Sequence, residues 1–146
     1  NELLSAFQKY YSEDWKNGTF PYPGVTSLLE ELHQSDMPMA VLSNKPHGYT
    51  VEIVESLFPQ NLFSQVRGHQ EGYPKKPDPT AAHQIISDWN LKAEEVAYIG
   101  DSTVDLATAR NGKMTPLIFS WGYRTPDDFP LLDSVDDLRN AILKPS

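Results

Sequence analysis

The chain has 146 residues, 39% of them apolar and 22% charged, which is enough to bury the core of one ordinary domain and argues against wholesale disorder. Its 12 basic and 20 acidic residues give a net charge of −8, so nucleic acid and anionic membrane surfaces are poor partners. The absence of cysteine excludes disulfides, Cys-ligated zinc and thiol catalysis, and no apolar run approaches the roughly 18–20 residues of a membrane-spanning helix. We expect a cytoplasmic protein that binds neither nucleic acid nor membranes.

The N-terminal part of the chain predicts two helices joined by a linker. Residues 2–15 place apolar side chains on one helical face, and Asn17-Gly18 ends that helix. Residues 20–24 form a rigid linker, because two prolines hold their neighbours extended. The apolar spacing that starts at Val25 predicts a second helix, which runs to Gln34.

The rest of the chain alternates short apolar runs with amphipathic stretches. The predicted strands are 39–42, 63–66, 96–99 and 116–119, and the predicted helices follow residue 46 and cover 82–89, 104–111 and 134–142. This alternation predicts an α/β fold in which a parallel sheet is flanked by helices. Ligands of such sheets bind at the carboxyl ends of the strands, so polar residues at those ends are the candidate site.

Two carboxylates follow the predicted strand 96–99. Gly100 lets the backbone turn sharply, Asp101 stands at the edge of the sheet, and Asp105 lies on the first turn of the next helix. Two carboxylates in one cleft repel each other and attract a divalent cation, and hard oxygen ligands suit magnesium. The alternative is that Asp101 caps the helix and Asp105 favours its N-terminal dipole.

Ser43-Asn44 and Lys75-Lys76-Pro77-Asp78-Pro79 are the other two candidate segments. A hydroxyl at a strand end can hold a phosphoryl oxygen, although such a pair also caps helices. A lysine fixed by prolines before a helix can neutralise the charge of a transferring phosphoryl group. A solvated basic loop is the alternative for the lysine segment.

The three segments, occurring together and in this order, indicate one protein family far more specifically than any of them does alone. Leu42-Ser43-Asn44-Lys45, Lys76-Pro77-Asp78-Pro79 and Ile99–Asp105 resemble the second, third and fourth motifs of the haloacid dehalogenase-like hydrolases, especially the phosphoglycolate phosphatase-like branch. Pro21–Val25 resembles the hinge where that family's chain returns from a helical cap, and Trp121–Arg124 resembles a loop of the same branch. The resemblance covers residues 20–146 and implies a Rossmann-like core.

The resemblance implies a role for each motif residue. Ser43 holds a phosphoryl oxygen, and Asn44 supports the same loop. Lys76 pairs with the nucleophile and the phosphoryl charge, as a catalytic and phosphate-binding residue. Asp101 ligates Mg²⁺, and Asp105 ligates it or orients its water. The implied activity is magnesium-dependent hydrolysis of small phosphorylated metabolites through an aspartyl-phosphate intermediate.

One departure from the family is severe, because its first motif, Asp-x-Asp-x-Thr or Val, does not occur in this sequence. That motif supplies the nucleophile and precedes the cap, so we expect it upstream of Asn1, and we expect this chain to be inactive alone. Residues 1–22 then correspond to the last cap helix and the hinge, and residues 23–146 correspond to a core that lacks its first strand.

The resemblance also implies that the nucleophile strand lies between the strands that end at Ser43 and Ile99. Without it, both strands expose unpaired backbone groups, which are templates for pairing with another chain. We expect an additional segment or a second copy of the chain to complete the sheet. Direct pairing of the two strands is disfavoured, because it would draw the flanking helices into one another.

Three other functions remain open at this stage. A phosphomutase of the same superfamily shares these motifs, and a non-catalytic phosphate-binding or regulatory domain would keep the cleft without a nucleophile. A receiver domain also clusters aspartates, but no acidic pair precedes Asp101. His47, Tyr123 and Arg124 are weaker candidates for the cleft mouth, with surface positions as the alternative.

Overall fold

The computed structural model describes residues 11–14, 18–21, 24–122 and 124–143, the first two ranges as backbone. The strands within these ranges form three pairs. β1 (Tyr11–Asp14) pairs antiparallel with β2 (Gly18–Pro21), β3 (Ala40–Pro46) pairs parallel with β4 (Gln65–His69), and β5 (Ala97–Gly100) pairs parallel with β6 (Thr115–Ile118). The predicted parallel α/β architecture is therefore confirmed.

Helices follow the strands in the predicted alternation. They are α1 (Val25–Gln34), α2 (His47–Leu57), α3 (Thr80–Asp88), α4 (Thr103–Asn111) and α5 (Val135–Leu143), with a 3-10 turn at Ala93–Glu95. The amide of Asp137 donates to Ser134 Oγ over 3.1 Å, and this contact caps the last helix. No helix in the described part of the chain has both the length and the apolarity needed to cross a bilayer.

The N-terminal segment differs from the prediction, because the predicted helix over residues 2–15 is wrong at Tyr11–Asp14. These residues form β1 and pair with β2, in the register Asp14 to Gly18. Asn-Gly is a helix stop, but it is also a strong hairpin signal, and the helical interpretation missed the second meaning. Residues 1–10 lie outside the described ranges, and the division at residue 22 stays a prediction.

The core lies on both faces of β3, as its all-apolar sequence predicts. Val41 packs into a layer with Leu28 of α1 and Leu138 of α5, whereas Ala40 and Leu42 face a second layer that includes Ile85 of α3. Every residue of β5 is buried as well. Helices thus cover β3 on both faces, and ligands of such sheets bind at the carboxyl ends of the strands.

The two parallel pairs do not join into one ladder among the described residues. β3 hydrogen-bonds to β4, β5 hydrogen-bonds to β6, and no ladder connects β3 with β5. Direct pairing of β3 with β5, which the sequence analysis disfavours, is thus not seen among the described residues. The layer containing Val41 also contains Ile99 of β5, so side chains connect the two halves where backbone hydrogen bonds do not.

Candidate active site

Ser43 and Asn44 lie within β3, three and two residues before its last residue, Pro46. The parallel register with β4 shifts between Leu42 and Pro46, so the backbone departs from regular pairing at these two residues. Ser43 is buried, and its Oγ accepts a hydrogen bond from the amide of Lys45 over 3.1 Å. This contact holds the hydroxyl beside the last residues of β3, just before α2 begins at His47.

Asn44 clamps the backbone of Lys76, 32 residues further along the chain. Its Nδ2 donates to the carbonyl oxygen of Lys76 over 3.2 Å, and its Oδ1 accepts from the amide of Lys76 over 2.9 Å. One side chain therefore satisfies both backbone groups of one residue. Sequence reasoning predicted a supporting role for Asn44 and did not predict its partner.

Lys76 is a buried cation. Its side chain is 2% exposed, and Nζ lies 3.0 Å from Asp105 Oδ1, whose side chain is 0% exposed. Nζ also donates to the carbonyl oxygen of Leu42 over 3.4 Å. Lys76 thus connects the end of β3 with the start of α4. Lys75, by contrast, is exposed.

Asp105 uses both carboxylate oxygens within the protein. Oδ1 receives Lys76, while Oδ2 accepts from the amide of Asp101 over 2.9 Å and from Ser102 Oγ over 3.0 Å. In return, Ser102 Oγ accepts from the amide of Asp105, which caps α4. Asp105 therefore holds both the β5–α4 turn and the ammonium of Lys76 in place.

Gly100 is required by this arrangement. A Cβ at Gly100 would lie 2.3 Å from the Cβ of Asp105, closer than real Cβ atoms approach. Gly122 approaches the turn from the other side, where a Cβ would lie 1.7 Å from the carbonyl oxygen of Asp101. The loop of Gly122 is tied down by the amide of Thr103, which donates to the carbonyl of Arg124 over 2.8 Å.

Asp101 directly follows β5 and is 6% exposed. Among the described residues, no three His, Cys, Asp or Glu side chains cluster into a closed metal site. Mg²⁺ keeps several waters and binds proteins through one or two carboxylates together with substrate phosphate. One buried carboxylate, that of Asp101, thus stands at the end of β5, and its oxygens are of the type that Mg²⁺ prefers.

Asp78, within the lysine segment, starts the following helix. Its Oδ1 accepts from the amide of Thr80 over 2.8 Å. The side-chain and backbone hydrogen bonds of Thr80 hold the pKa of the Asp78 carboxyl below its usual value. The side-chain Nδ2 of Asn111 donates to the carbonyl of Pro77 over 3.0 Å and fixes the same segment against α4.

The structure therefore gathers Ser43, Asn44, Lys76, Asp101 and Asp105 at one end of the fold. Sequence reasoning overlooked a basic group next to them: Arg67 on β4 and His69 at its end line the same cavity as Ser43 and Lys76. These residues lie in a strand that the sequence marks poorly. His47, a weaker candidate, lines this cavity too, and Tyr123 lies outside the described residues.

The comparisons with known proteins agree on one family. Residues 1–118 match the family model described as haloacid dehalogenase-like hydrolase. The phosphoglycolate phosphatase of Salmonella typhi is 30% identical over 146 residues, covering 96% of this chain and 58% of that protein. That of Vibrio parahaemolyticus is 32% identical over 117 residues, covering 80% of this chain and 51% of that protein. The chain thus spans little more than half the length of these relatives.

The fold is similar to solved structures. A crystal structure from Lactobacillus delbrueckii, assigned as a phosphoglycolate phosphatase, superposes with a TM-score of 0.79 at 32% identity, covering 87% of this chain and 55% of that one. The core domain of a Streptococcus pneumoniae protein with the same assignment superposes with a TM-score of 0.73 at 19% identity, covering 99% and 98% of the two chains. The second similarity concerns the fold alone.

Proposed function

The chain belongs to the haloacid dehalogenase-like hydrolase family, and from this premise we propose that it is the core of a magnesium-dependent phosphatase of small phosphorylated metabolites. The observation that carries the proposal is Lys76, a buried cation clamped by Asn44, paired with Asp105 and adjacent to Ser43. A preorganised positive charge of this kind stabilises negative charge at a transferring phosphoryl group. The names of the relatives agree with this class of reaction.

Each residue has a defined task in the proposed reaction. Ser43 Oγ donates to a phosphoryl oxygen, and Lys76 neutralises the charge that gathers on that group. Asn44 and Asp105 are positioning residues, because they hold the backbone and the ammonium of Lys76. Asp101 would hold magnesium, which when bound supplies further charge neutralisation.

The proposed chemistry is nucleophilic. A carboxylate oxygen attacks phosphorus, the bond from phosphorus to the leaving oxygen breaks, and that oxygen takes a proton from the second aspartate of the Asp-x-Asp motif, which regains one from the attacking water in the next step. Water then attacks the acyl phosphate and releases inorganic phosphate and the carboxylate. The 146 residues contain no Asp-x-Asp pair, so the proposed nucleophile is not one of them.

The test therefore has two arms. In the first arm, we expect the 146-residue chain to bind ethyl phosphate in the presence of magnesium and Ser43→Ala to weaken that binding. We expect the chain alone not to hydrolyse p-nitrophenyl phosphate. A polypeptide that carries an Asp-x-Asp-x-Thr segment from the family before Asn1 hydrolyses it.

In that longer polypeptide, Asp101→Asn and Lys76→Ala each remove most of the turnover, and Lys75→Ala has a mild effect. Binding without turnover in both polypeptides would favour a non-catalytic phosphate-binding domain. Turnover by the 146-residue chain that disappears on Asp101→Ala would contradict the missing nucleophile. A stronger loss from Lys75→Ala than from Lys76→Ala would contradict the assignment of the lysine.

A further inference from the structure

A cavity of about 300 Å³ opens beside the candidate active site. Its walls are the carboxyl ends of β3 and β4, the loop of residues 70–78, and α3. It shares Ser43, Asn44 and Lys76 with the candidate site and extends from them along β4. Small organic ligands occupy cavities of this size, so a molecule with one end at Ser43 would have its remainder here.

The cavity is basic, although the chain as a whole carries a charge of −8. Arg67 and Lys75 line it together with the imidazoles of His47 and His69. Among the described residues that line it, Asp78 is the one carboxylate, and it is already hydrogen-bonded to the amide of Thr80. A local excess of positive charge in an acidic protein favours an anionic ligand.

Arg67 is the best-placed cation of the cavity. It lies opposite Leu42 in the parallel register, one strand spacing, or about 5 Å, from the strand that carries Ser43. Its guanidinium donates to Gln84 Oε1 of α3, which fixes the side chain on the α3 face of the sheet. No described carboxylate forms an ion pair with it. A guanidinium has five N–H donors, so most of the donors of Arg67 remain for a ligand.

Two hydrogen bonds give the surroundings of Arg67 a fixed shape. The amide of Gly68 donates to His47 Nδ1 over 3.1 Å, so the remaining nitrogen of this ring, Nε2, carries the proton and is a donor. His69 Nε2 lies 3.0 Å from the carbonyl oxygen of Tyr73 and ties the loop to the end of β4. The cavity wall therefore combines a guanidinium held by Gln84 with an imidazole held by the amide of Gly68.

We propose that this cavity is a subsite for a second anionic group, a carboxylate or a phosphate, and that Arg67 is the residue that selects for it. The second group belongs to the molecule whose phosphoryl group lies at Ser43 and Lys76, so this inference rests on the proposed function. Arginine binds both kinds of anion through paired N–H donors, so Arg67 suits either group.

The experiment compares three probes on the 146-residue chain in magnesium buffer, by titration calorimetry. Ethyl phosphate has one anionic group, 2-phosphoglycolate replaces its methyl group with a carboxylate, and propane-1,3-diol bisphosphate offers a second phosphate. At least one of the two-group probes binds about tenfold or more tighter than ethyl phosphate, as one charge-assisted contact implies. The preferred probe identifies the second group as carboxylate or phosphate.

Variants locate the preference. Arg67→Gln keeps a side chain that can contact Gln84 but removes the charge, so the affinities for one-group and two-group probes become nearly equal. Arg67→Lys keeps part of the preference. Arg139→Gln is the matched control, because it removes the same charge from α5, where Arg139 pairs with Glu31 and Asp136, and it leaves the preference intact. Circular dichroism establishes that each variant is folded.

Three outcomes would overturn the subsite: no binding of any probe, equal affinity of the wild-type chain for all three, or a preference that survives in Arg67→Gln. A failure of the proposed function is distinguishable from these. An Arg67-dependent preference accompanied by ethyl phosphate binding that Ser43→Ala leaves unchanged would retain an anion site at Arg67 and overturn its link to a phosphoryl site.

Discussion

The residue that organises the site is Lys76, and its environment determines what its loss would do. The ammonium and the Asp105 carboxylate are both removed from solvent and lie 3.0 Å apart. A buried pair contributes little net stability compared with apolar residues of the same shape, but removing one partner leaves an uncompensated buried charge. The pair therefore adds little to the free energy of unfolding, but the loss of either partner alone would lower it.

Lys76→Met is expected to lower the free energy of unfolding of the 146-residue chain by roughly 3–5 kcal/mol, because Asp105 is left buried and unpaired. The double variant Lys76→Met with Asp105→Leu recovers part of this loss, because it removes both charges. Urea denaturation followed by circular dichroism measures both. Equal loss in the single and double variants would contradict the pairing of Lys76 with Asp105.

Asn44→Ala is expected to destabilise the chain by about 1–3 kcal/mol, because it removes the partners of two backbone groups of Lys76. Asn140→Ala, at an exposed position of α5, is the matched control and changes stability little. The same urea titration compares the two. In the longer polypeptide, Asn44→Ala lowers kcat as Lys76 loses its position, whereas Asn140→Ala does not.

The strand–turn–helix unit of β5 and α4 was readable from sequence. The buried run Val96–Ile99, the glycine that follows it and the spaced aspartates each give a local signal, and the structure contains all of them where predicted. The residues that contact one another across the fold could not be predicted from the sequence. The contacts of Asn44 with Lys76, for example, span 32 residues and leave no local pattern. Arg67 was missed for the same reason, since its place depends on pairing with β3.

The hairpin of β1 and β2 is a case in which a local sequence pattern is present but predicts the wrong structure. The apolar spacing of residues 2–15 fits a helix, yet Tyr11–Asp14 pairs with β2. Short apolar patterns do not distinguish helix from strand when a turn signal such as Asn17-Gly18 has two meanings. Tertiary pairing decides such segments, and the sequence alone does not reveal it.

Gly100→Ala tests the turn between β5 and α4. The added methyl group would lie 2.3 Å from the Cβ of Asp105, so α4 must shift and the Lys76 pair must loosen. We expect a loss of stability of more than about 1 kcal/mol, as overpacking typically costs 1–3 kcal/mol. Thermal denaturation reports it directly.

Gly48→Ala is the matched control for Gly100→Ala. Gly48 lies in α2, and nothing is within 4 Å of the position that its Cβ would occupy. Alanine is the better helix former, so this variant is expected to be neutral or to gain up to about 1 kcal/mol. A similar loss in both variants would indicate that close approach at Gly100 is not the cause.

At the scale of the whole molecule, the main feature is the interrupted sheet. β3 and β5 each pair on one side within the described residues, although both are apolar strands covered by helices. A strand edge without a partner leaves N–H and C=O groups unpaired, and these favour pairing with another strand. The proposed function asks for a nucleophile at this same place, between Ser43 and Asp101.

The 146-residue chain is therefore expected to self-associate, because a second copy can supply strands to these edges. Light scattering after size exclusion should show a mass that rises with concentration above the 16.5 kDa of one chain. In the longer polypeptide with an added Asp-x-Asp segment, the association is lost, and the amides of β3 and β5 that face one another become protected from hydrogen exchange, since a strand between them satisfies both edges. A chain that stays at 16.5 kDa at every concentration, with those amides already protected, would contradict the open edges and the strand proposed to fill them.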